Sequence, residues 1–293
     1  MKISFIVPAY NEEEDIGRVI KELKSTFKGF EIIIVDDFSA DKTFQIAQNL
    51  CPDTTFRHVQ NQGYGAALKT GISHASGDFV VFVDGDGQHP IEEIKKVVEV
   101  ISENSEIDAV LTERKNVYKS GVFRSFGKVV INFVVRRLTG KKIKDVNSGL
   151  RAFKREKLLP FLFLLPDAFS FSTTTTVLAY KENFDLKWID ISMEERISGK
   201  SQVKMKHGIN TIILVFRLIV IFDPLKFFLP ITGYSLLLGC ISIINSLITI
   251  QTIGKNYIFF FLFGVLVFIL GLLSEQISML RKEISLMKTK NGR

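Results

Sequence analysis

Cysteine is scarce in this chain, with two in 293 residues, and tryptophan scarcer still, with one. Cys51 lies in the polar two-thirds and Cys240 inside a long apolar run, so no disulfide is expected between them, and a reducing compartment suits the composition. No Gly-x-x-x-x-Gly-Lys-Ser/Thr occurs, and no Gly-x-Gly-x-x-Gly follows the first apolar run. Glycine-loop cradles for ATP or NAD are therefore not expected. The opening apolar run at 1–7 is too short for a secretory signal and leads straight into Pro8, so the amino-terminal part is expected in the cytoplasm. Neither an internal repeat nor a low-complexity linker stands out. With 46% hydrophobic and 24% charged residues, the chain is neither a disordered tail nor a small stapled scaffold, and it is long enough for one or two domains.

Acidic residues run short in the last third. Residues 1–208 hold 30 Lys+Arg and 28 Asp+Glu, whereas 209–293 hold 8 and 3, so most of the net +7 sits in the tail. There, 227–250 and 257–274 carry no charge, and each run is near the ~20 residues that a helix needs to cross ~30 Å of hydrocarbon. Two transmembrane helices, about 227–250 and 257–280, are expected within 226–280, since lipid tolerates Pro230 and Gly233 in a helix. Two buried helices of a soluble core are the alternative. Lys226 before the first run and the Arg/Lys-rich 281–293 after the second put both ends in the cytoplasm by the positive-inside rule. Residues 209–222 are apolar apart from Asn210, Thr211 and Arg217 and would span only about two-thirds of a bilayer. An interfacial helix over 209–225 is expected, with Arg217 reaching towards water, the alternative being a buried helix of the globular domain. The division is then a cytosolic domain over 1–208, the interfacial helix, the hairpin and a basic cytosolic tail over 281–293.

The first hundred residues alternate β-rich runs with helical patterns, as parallel sheets wound by crossover helices do. Strands are expected at 3–7, 31–35, 54–59 and 79–83, and helices at 12–27, 41–50, 64–75 and 91–102. The first helix has its apolar stripe at Ile16, Val19, Ile20 and Leu23; Asp41 is placed to cap the second, and Pro90 opens the fourth. A fifth strand is expected at 108–111. Ile189, Ile191 and Met193 alternate with polar residues as an edge strand would. The fold class is α/β, of a nucleotide-binding kind whose ligands lie outside the carboxyl ends of the strands.

Three of those ends carry concentrated chemistry: Pro8 to Glu12, Asp36-Asp37-Phe38-Ser39, and Asp84-Gly85-Asp86-Gly87-Gln88-His89-Pro90. Carboxylates gathered at one edge repel one another unless a cation is shared between them. Asp84, Asp86 and Gln88 stand at i, i+2 and i+4, a spacing that aims three oxygen-bearing side chains the same way while the glycines between them let a ligand approach the backbone. Hard oxygen ligands in small number suit Mg²⁺ or Mn²⁺ shared with substrate phosphates. A solvated Asp-Gly turn gives the same letters, and Asn61 to Ala67 is either a tight loop or a ligand contact.

Taken together, Val-Pro-Ala-Tyr-Asn-Glu at 7–12, Val-Asp-Asp-Phe-Ser-Ala-Asp-Lys-Thr at 35–43, Asn-Gln-Gly-Tyr-Gly-Ala-Ala at 61–67 and Asp-Gly-Asp-Gly-Gln-His-Pro at 84–90 resemble the family-2 glycosyltransferases. Within these the chain looks most like the polyprenyl-phosphate glycosyltransferases, the group of dolichol-phosphate mannose synthase and the undecaprenyl-phosphate glucosyltransferases. The likeness runs over most of 3–204. It implies a GT-A, Rossmann-like nucleotide-diphospho-sugar transferase domain, with Pro8, Tyr10 and Glu12 lining the nucleotide and Asp37, with Val35 beside it, on base and ribose. Asp84, Asp86 and Gln88 match the metal-binding trio, with Gly85 against the nucleotide. Tyr10 as a packing residue and Glu12 as an ordinary first-turn acid remain the alternatives.

Farther along, the resemblance implies Arg114 near the phosphates and Arg124 on the acceptor phosphate, with Lys128 standing where mannose-type synthases have Ser. Attraction of the surrounding basic stretch, Lys115, Lys119, Arg136 and Arg137 included, to anionic headgroups is an alternative that both readings accommodate. Asp145-Val-Asn-Ser-Gly-Leu-Arg151 looks like the family's Asp-x-x-x-Gly-Phe-Arg, on the acceptor side, with Asp145 and Arg151 in positioning roles or in a loop-bracing salt bridge. Arg196-Ile-Ser-Gly-Lys-Ser201 resembles a loop that closes over the diphosphate; Gln202 occupies its Lys position, so Lys200 or Lys204 takes that charge.

The implied reaction moves a hexosyl group from a UDP- or GDP-linked sugar to dolichyl or undecaprenyl phosphate at the membrane, with inversion, and with Asp86, Arg196 and Asp145 as the groups at the reacting centre. No nucleic-acid partner is expected, and homo-oligomer formation stays open. A processive polysaccharide synthase would carry Gln-x-x-Arg-Trp, whereas the one Trp is Trp188 in Lys-Trp-Ile. A transferase acting on a diacylglycerol lipid and a silent nucleotide-sugar-binding membrane protein are the other readings.

Overall fold

Every residue of Ile3–Ala9 (β1) is buried, as a strand covered on both faces should be. The structure is a computed structural model that describes residues 1–104, 106–115, 122–143, 145–193, 207–248 and 256–291. Glu31–Asp36 (β2) and Phe79–Phe82 (β4) flank β1 in parallel, and Thr55–Arg57 (β3) adds to β2. Ile16–Thr26 (α1), Thr43–Leu50 (α2) and Tyr64–His74 (α3) connect them, and Ile91–Glu103 (α4) leads to Ala109–Arg114 (β5). α1 begins four residues later than its periodicity suggests, because Asn11 turns the chain at φ 55° and the Glu12 carbonyl closes a turn onto the amides of Asp15 and Ile16. Asp41 caps from just outside α2, its Oδ1 accepting the Thr43 amide at 2.9 Å.

The second half is wound differently from the parallel first half. Val122–Thr139 (α5) is followed by Arg151–Lys154 (β6), Arg155–Leu158 (α6), a 3₁₀ turn at Leu159–Leu164, Phe171–Lys181 (α7) and Leu186–Ile191 (β7). The sheet order is β3-β2-β1-β4-β6-β5-β7. β6 enters antiparallel between β4 and β5, while β7 pairs parallel with β5 at the sheet edge. An antiparallel β6 starts at the edge where its neighbours end. Residues 145–150, which precede it, are thereby delivered to the carboxyl edge of β4 and β5.

The alternation of side chains along β1 divides the core into two layers. On one face Phe5 and Val7 join Ile34 and Val81 in a cluster with Ile16, Ile20 and Leu23 of α1 and Ile94, Val97 and Ile101 of α4. On the other, α3 lies so close to β1 that a Cβ on Gly71 would meet Ile6 Cγ2 at 2.3 Å, and Phe82 of β4 packs edge-on against Phe171 of α7. Large side chains removed from water at ~1.5–3 kcal/mol each make this the main source of stability.

Contacts divide the chain into two units, Met1–Thr211 with Lys288–Arg293, and Ile212–Met287. His207–Phe222 (α8) runs across the first boundary and is followed by Pro224–Ile248 (α9) and Asn256–Asn291 (α10). α10 continues as helix well into the stretch expected to be a basic tail. Pro224–Ile248 and Tyr257–Arg281 are long and apolar enough to cross a membrane. Glycines let these helices approach: Gly239 faces the Phe261 ring, Gly264 faces Leu236 and Gly271 faces Phe228. Ser235 Oγ donates to the Phe260 carbonyl at 2.7 Å. Small residues and interhelical hydrogen bonds are what hold helices together where the hydrophobic effect gives no preference.

Candidate active site

From β1 the chain winds outward through β2 and β3, then returns through α3 to place β4 on β1's other side. The carboxyl ends of β1 and β4 therefore flank a topological switch point, where open α/β sheets bind ligands. Pro8 is buried at one lip, with Tyr10 and Glu12 partly buried just beyond it. Asp84, Gly85 and Asp86 form the other lip, and a Cβ on Gly85 would come within 3.0 Å of the Pro8 carbonyl oxygen. The loop after β1 is laced to the loop after β2: the Asn11 amide donates to Ser39 Oγ, the Glu12 amide to Thr43 Oγ1, and Asn11 Oδ1 accepts from the Ala40 amide, all at 2.8–2.9 Å.

The Asp pair at the end of β2 faces inward. Asp36 is fully buried, with one oxygen held by Arg57 Nε at 3.1 Å. Asp37 Oδ1 meets His58 Nδ1 at 2.7 Å and the Gln62 amide at 2.8 Å, and its Oδ2 accepts the Gly63 amide at 2.7 Å. Its carboxylate thus organises the loop that opens α3. Val35, expected beside the base, pairs with Pro8 and is fully buried in the sheet.

Asp84 is the best-supported carboxylate of the site. Its Oδ1 accepts the Tyr64 hydroxyl at 2.9 Å, its Oδ2 stands 3.6 Å from His89 Nε2, and its amide donates to His89 Nδ1 at 3.2 Å. Nδ1 is therefore the bare nitrogen and Nε2 carries the proton, facing the carboxylate. Asp86 Oδ1 accepts the Gln88 amide at 3.1 Å, which bends the segment so that Asp86 and Gln88 share its rim. Gly87, at φ 69°, makes that bend where a side chain would strike the Arg18 guanidinium.

The segment before β6 closes the site from the other side. Gly149 touches Asp84 so closely that a Cβ would sit 2.2 Å from Oδ2. Asp145 forms a two-pronged ion pair with Arg114, Oδ2 to Nε at 2.6 Å and Oδ1 to Nη2 at 2.9 Å. Arg114 is thus the last residue of β5 rather than one beyond it, and it, not Arg151, is the ionic partner of Asp145. Burial pushes the Asp145 carboxyl up, but the bonds and charge of Arg114 outweigh it and hold the group below the ordinary carboxylate range. Arg114 is shifted up, the Asp145 contacts overriding burial.

Arg151 lies beneath, 1% exposed. Its Nε donates to the Ser148 carbonyl at 2.9 Å, and Nη1 to the Ser172 carbonyl at 2.7 Å and to Thr175 and Thr176 Oγ1 at 3.1 and 3.2 Å. Burial lowers its pKa to about 10, so it remains a cation at neutral pH. Arg124 and Lys128 lie on α5, with side chains outside the described set. Arg196, Lys200 and Lys204 fall in 194–206, outside the described residues. Tyr64, His89 and Gly149 are not among the site residues expected from sequence, although each sits inside one of the motifs at 61–67, 84–90 and 145–151.

Among the described residues no three of His, Cys, Asp and Glu converge as a metal cage. Two carboxylates and an amide oxygen on one bend nevertheless suit a hard cation that keeps part of its coordination for water and substrate phosphates. The residues present fit Mg²⁺ or Mn²⁺ in that shared manner.

Comparison with known proteins agrees with this architecture. The profile of Glycosyl transferase family 2 matches residues 4–159, and that of the GtrB C-terminal hairpin matches 223–280. The undecaprenyl-phosphate 4-deoxy-4-formamido-L-arabinose transferase of Salmonella choleraesuis (strain SC-B67) is 30% identical over 92% of this chain and 84% of its own. An uncharacterized protein of Methanocaldococcus jannaschii is 32% identical over 75% and 91%. Among solved structures, glucosyl-3-phosphoglycerate synthase from Mycobacterium tuberculosis with Mg²⁺ and uridine diphosphate shares the fold, with a TM-score of 0.58 at 20% identity over 74% of this chain and 78% of that one. The same synthase with Mn²⁺, UDP-glucose and phosphoglyceric acid superposes equally well, at a TM-score of 0.58. A switch-point cleft rimmed by Asp84 and Asp86, a family profile over more than half of the chain and a relative aligned through the hairpin lead to one assignment: the chain belongs to glycosyl transferase family 2 and is a glycosyltransferase.

Proposed function

We propose that the enzyme transfers a hexosyl group, with inversion, from a UDP- or GDP-sugar to a polyprenyl phosphate, dolichyl or undecaprenyl, at the cytoplasmic face of a membrane. The observation that carries this is the likeness to an undecaprenyl-phosphate sugar transferase over 92% of the chain, apolar hairpin included. A polyprenol cannot leave lipid, and a catalytic unit joined to two membrane-length helices meets it there. The many exposed apolar side chains on α9 and α10, such as Leu237 and Leu262, favour spanning helices over a buried pair.

Asp84 and Asp86, with the Gln88 amide, would hold Mg²⁺ or Mn²⁺, which when bound supplies positive charge against the departing diphosphate. Pro8, Tyr10 and Glu12 line the nucleotide side, with Gly85 leaving room for it, while Asp37 and Val35 shape the wall behind. Arg114, Arg196 and Lys204 add cationic charge where the leaving group departs. Arg124 and Lys128 on α5 receive the acceptor phosphate. A phosphate monoester has its second pKa near ~6, so the nucleophile is already ionised at neutral pH and needs no strong base. That suits Asp145, which Arg114 holds ionised and whose task becomes the orientation of that guanidinium. Arg151 supports the same segment from below.

The test is to incubate the purified full chain with polyprenyl phosphate, Mg²⁺ or Mn²⁺ and a panel of UDP- and GDP-sugars, and to identify the lipid product by mass spectrometry. A glycosyl monophosphate lipid that disappears with Asp86→Ala is expected. A product only on diacylglycerol or on a growing glycan, or donor binding without turnover, would overturn the acceptor assignment.

A further inference from the structure

We propose that Tyr64 is a positioning residue for Asp84: its hydroxyl fixes the orientation of the carboxylate, and Phe169 clamps the ring that carries it. The inference rests on the reading of Asp84 as a metal-holding group and adds a residue to it.

Tyr64 opens α3, and its backbone has almost no freedom. A Cβ on Gly65 would fall 2.1 Å from the Pro166 carbonyl oxygen, and one on Gly63, at φ 103°, would fall 2.4 Å from that of Asp167. The Ala66 amide also donates to the Asp167 carbonyl at 3.1 Å. Two glycines therefore press the start of α3 onto the 166–168 backbone, and the tyrosine between them is aimed by main-chain packing. Its ring stacks on Phe169 with centroids 5.4 Å apart and planes 14° from parallel. Phe169 is itself 63% exposed, so its ring contributes little to the core and its visible contact is this stack.

The hydroxyl at the end of this assembly meets Asp84 Oδ1 at 2.9 Å. On the opposite side Asp84 Oδ2 is confined by Gly149 and faces His89 Nε2. Without the phenol the carboxylate would be free to turn on that side, and the order needed for a cation would have to be imposed on binding. Partners that orient metal-holding groups typically change metal affinity or activity by ~10–100-fold when removed.

The experiment titrates Mn²⁺ into the full chain in detergent with saturating UDP, reads free Mn²⁺ by electron paramagnetic resonance, and records metal-free thermal unfolding in parallel. Tyr64→Phe keeps the ring stack and loses only the hydroxyl. Its Mn²⁺ affinity is expected to fall about tenfold with metal-free unfolding little changed. Phe169→Leu, which keeps the hydroxyl but loosens the ring, is expected to lose severalfold. A Tyr64→Phe titration that superimposes on the unmodified chain overturns the inference. So does a Tyr64→Phe chain that fails to fold, since the hydroxyl would then serve stability alone. If the unmodified chain takes up no more Mn²⁺ than Asp86→Ala, the metal reading itself falls.

Discussion

Arg151→Met separates a buried structural arginine from one that meets the acceptor phosphate. The substitution removes the guanidinium's bonds to three carbonyls, those of Ser148, Ser172 and, at 3.5 Å, Val146, and to two threonine hydroxyls. The consequences are unequal. The Ser172 carbonyl keeps the hydroxyls of Thr175 and Thr176 at 3.0 Å each, whereas the Ser148 carbonyl loses both Nε and Nη2 of Arg151. One orphaned carbonyl costs ~1–3 kcal/mol, and each hydrogen bond from a charged donor is worth ~1.5–3. Release from the penalty of burying a cation offsets part of this, leaving a net loss of about 3 kcal/mol. For a unit of about 200 residues that is a fall in Tm of about 6–12 °C. Trp188 is a built-in reporter, since its Nε1 in β7 donates to the Tyr180 hydroxyl of α7 at 3.0 Å, and α7 supplies three of the groups that Arg151 binds. Thermal unfolding followed by tryptophan fluorescence should show the drop, and Arg151→Lys should recover only part of it, because one ammonium cannot reproduce a planar fork. A Met variant that melts within about 1 °C of the unmodified chain, yet shows a raised KM for polyprenyl phosphate, would refute the reasoning and return Arg151 to the acceptor.

Asp145→Asn should cost about 2 kcal/mol at pH 7, where one side of a partly buried, two-pronged ion pair is lost. The folded carboxyl titrates below its ordinary 3.8, so the pair's contribution is complete above that value and fades as pH falls through the lower folded one; denaturation of both chains across acid pH should show the gap closing there. Gly149→Ala puts a methyl 2.2 Å from Asp84 Oδ2 and should lower transfer about tenfold or more through the displaced carboxylate, with a raised metal requirement in steady-state kinetics. Gly65→Ala meets the backbone oxygen of Pro166 at 2.1 Å, a contact that cannot yield by rotating a side chain. It should destabilise the chain by about 1–3 kcal/mol, read as a lower Tm.

The centre of the parallel half of the sheet was legible because β1, β2 and β4 are buried apolar runs and α1 repeats its stripe at Ile16, Val19, Ile20 and Leu23. β6 was not, since Arg-Ala-Phe-Lys is four residues long and opens with a charge. α7 was equally opaque: Ser172 and Thr173 to Thr176 are poor helix formers, yet all are buried, and Ser172, Thr175 and Thr176 form the polar floor under Arg151. The same opacity reached the site. Asp84 and Asp86 were found from local spacing, but Asp145 pairs with Arg114 across 31 residues, and Gly149 meets Asp84 across the β4–β6 boundary. Both contacts exist because β6 runs against its neighbours. A β6 running parallel would begin at the opposite edge and carry 145–150 away from Asp84. The reversed strand is therefore what adds a second wall to a cleft that the carboxyl ends of β1 and β4 would otherwise line from one side.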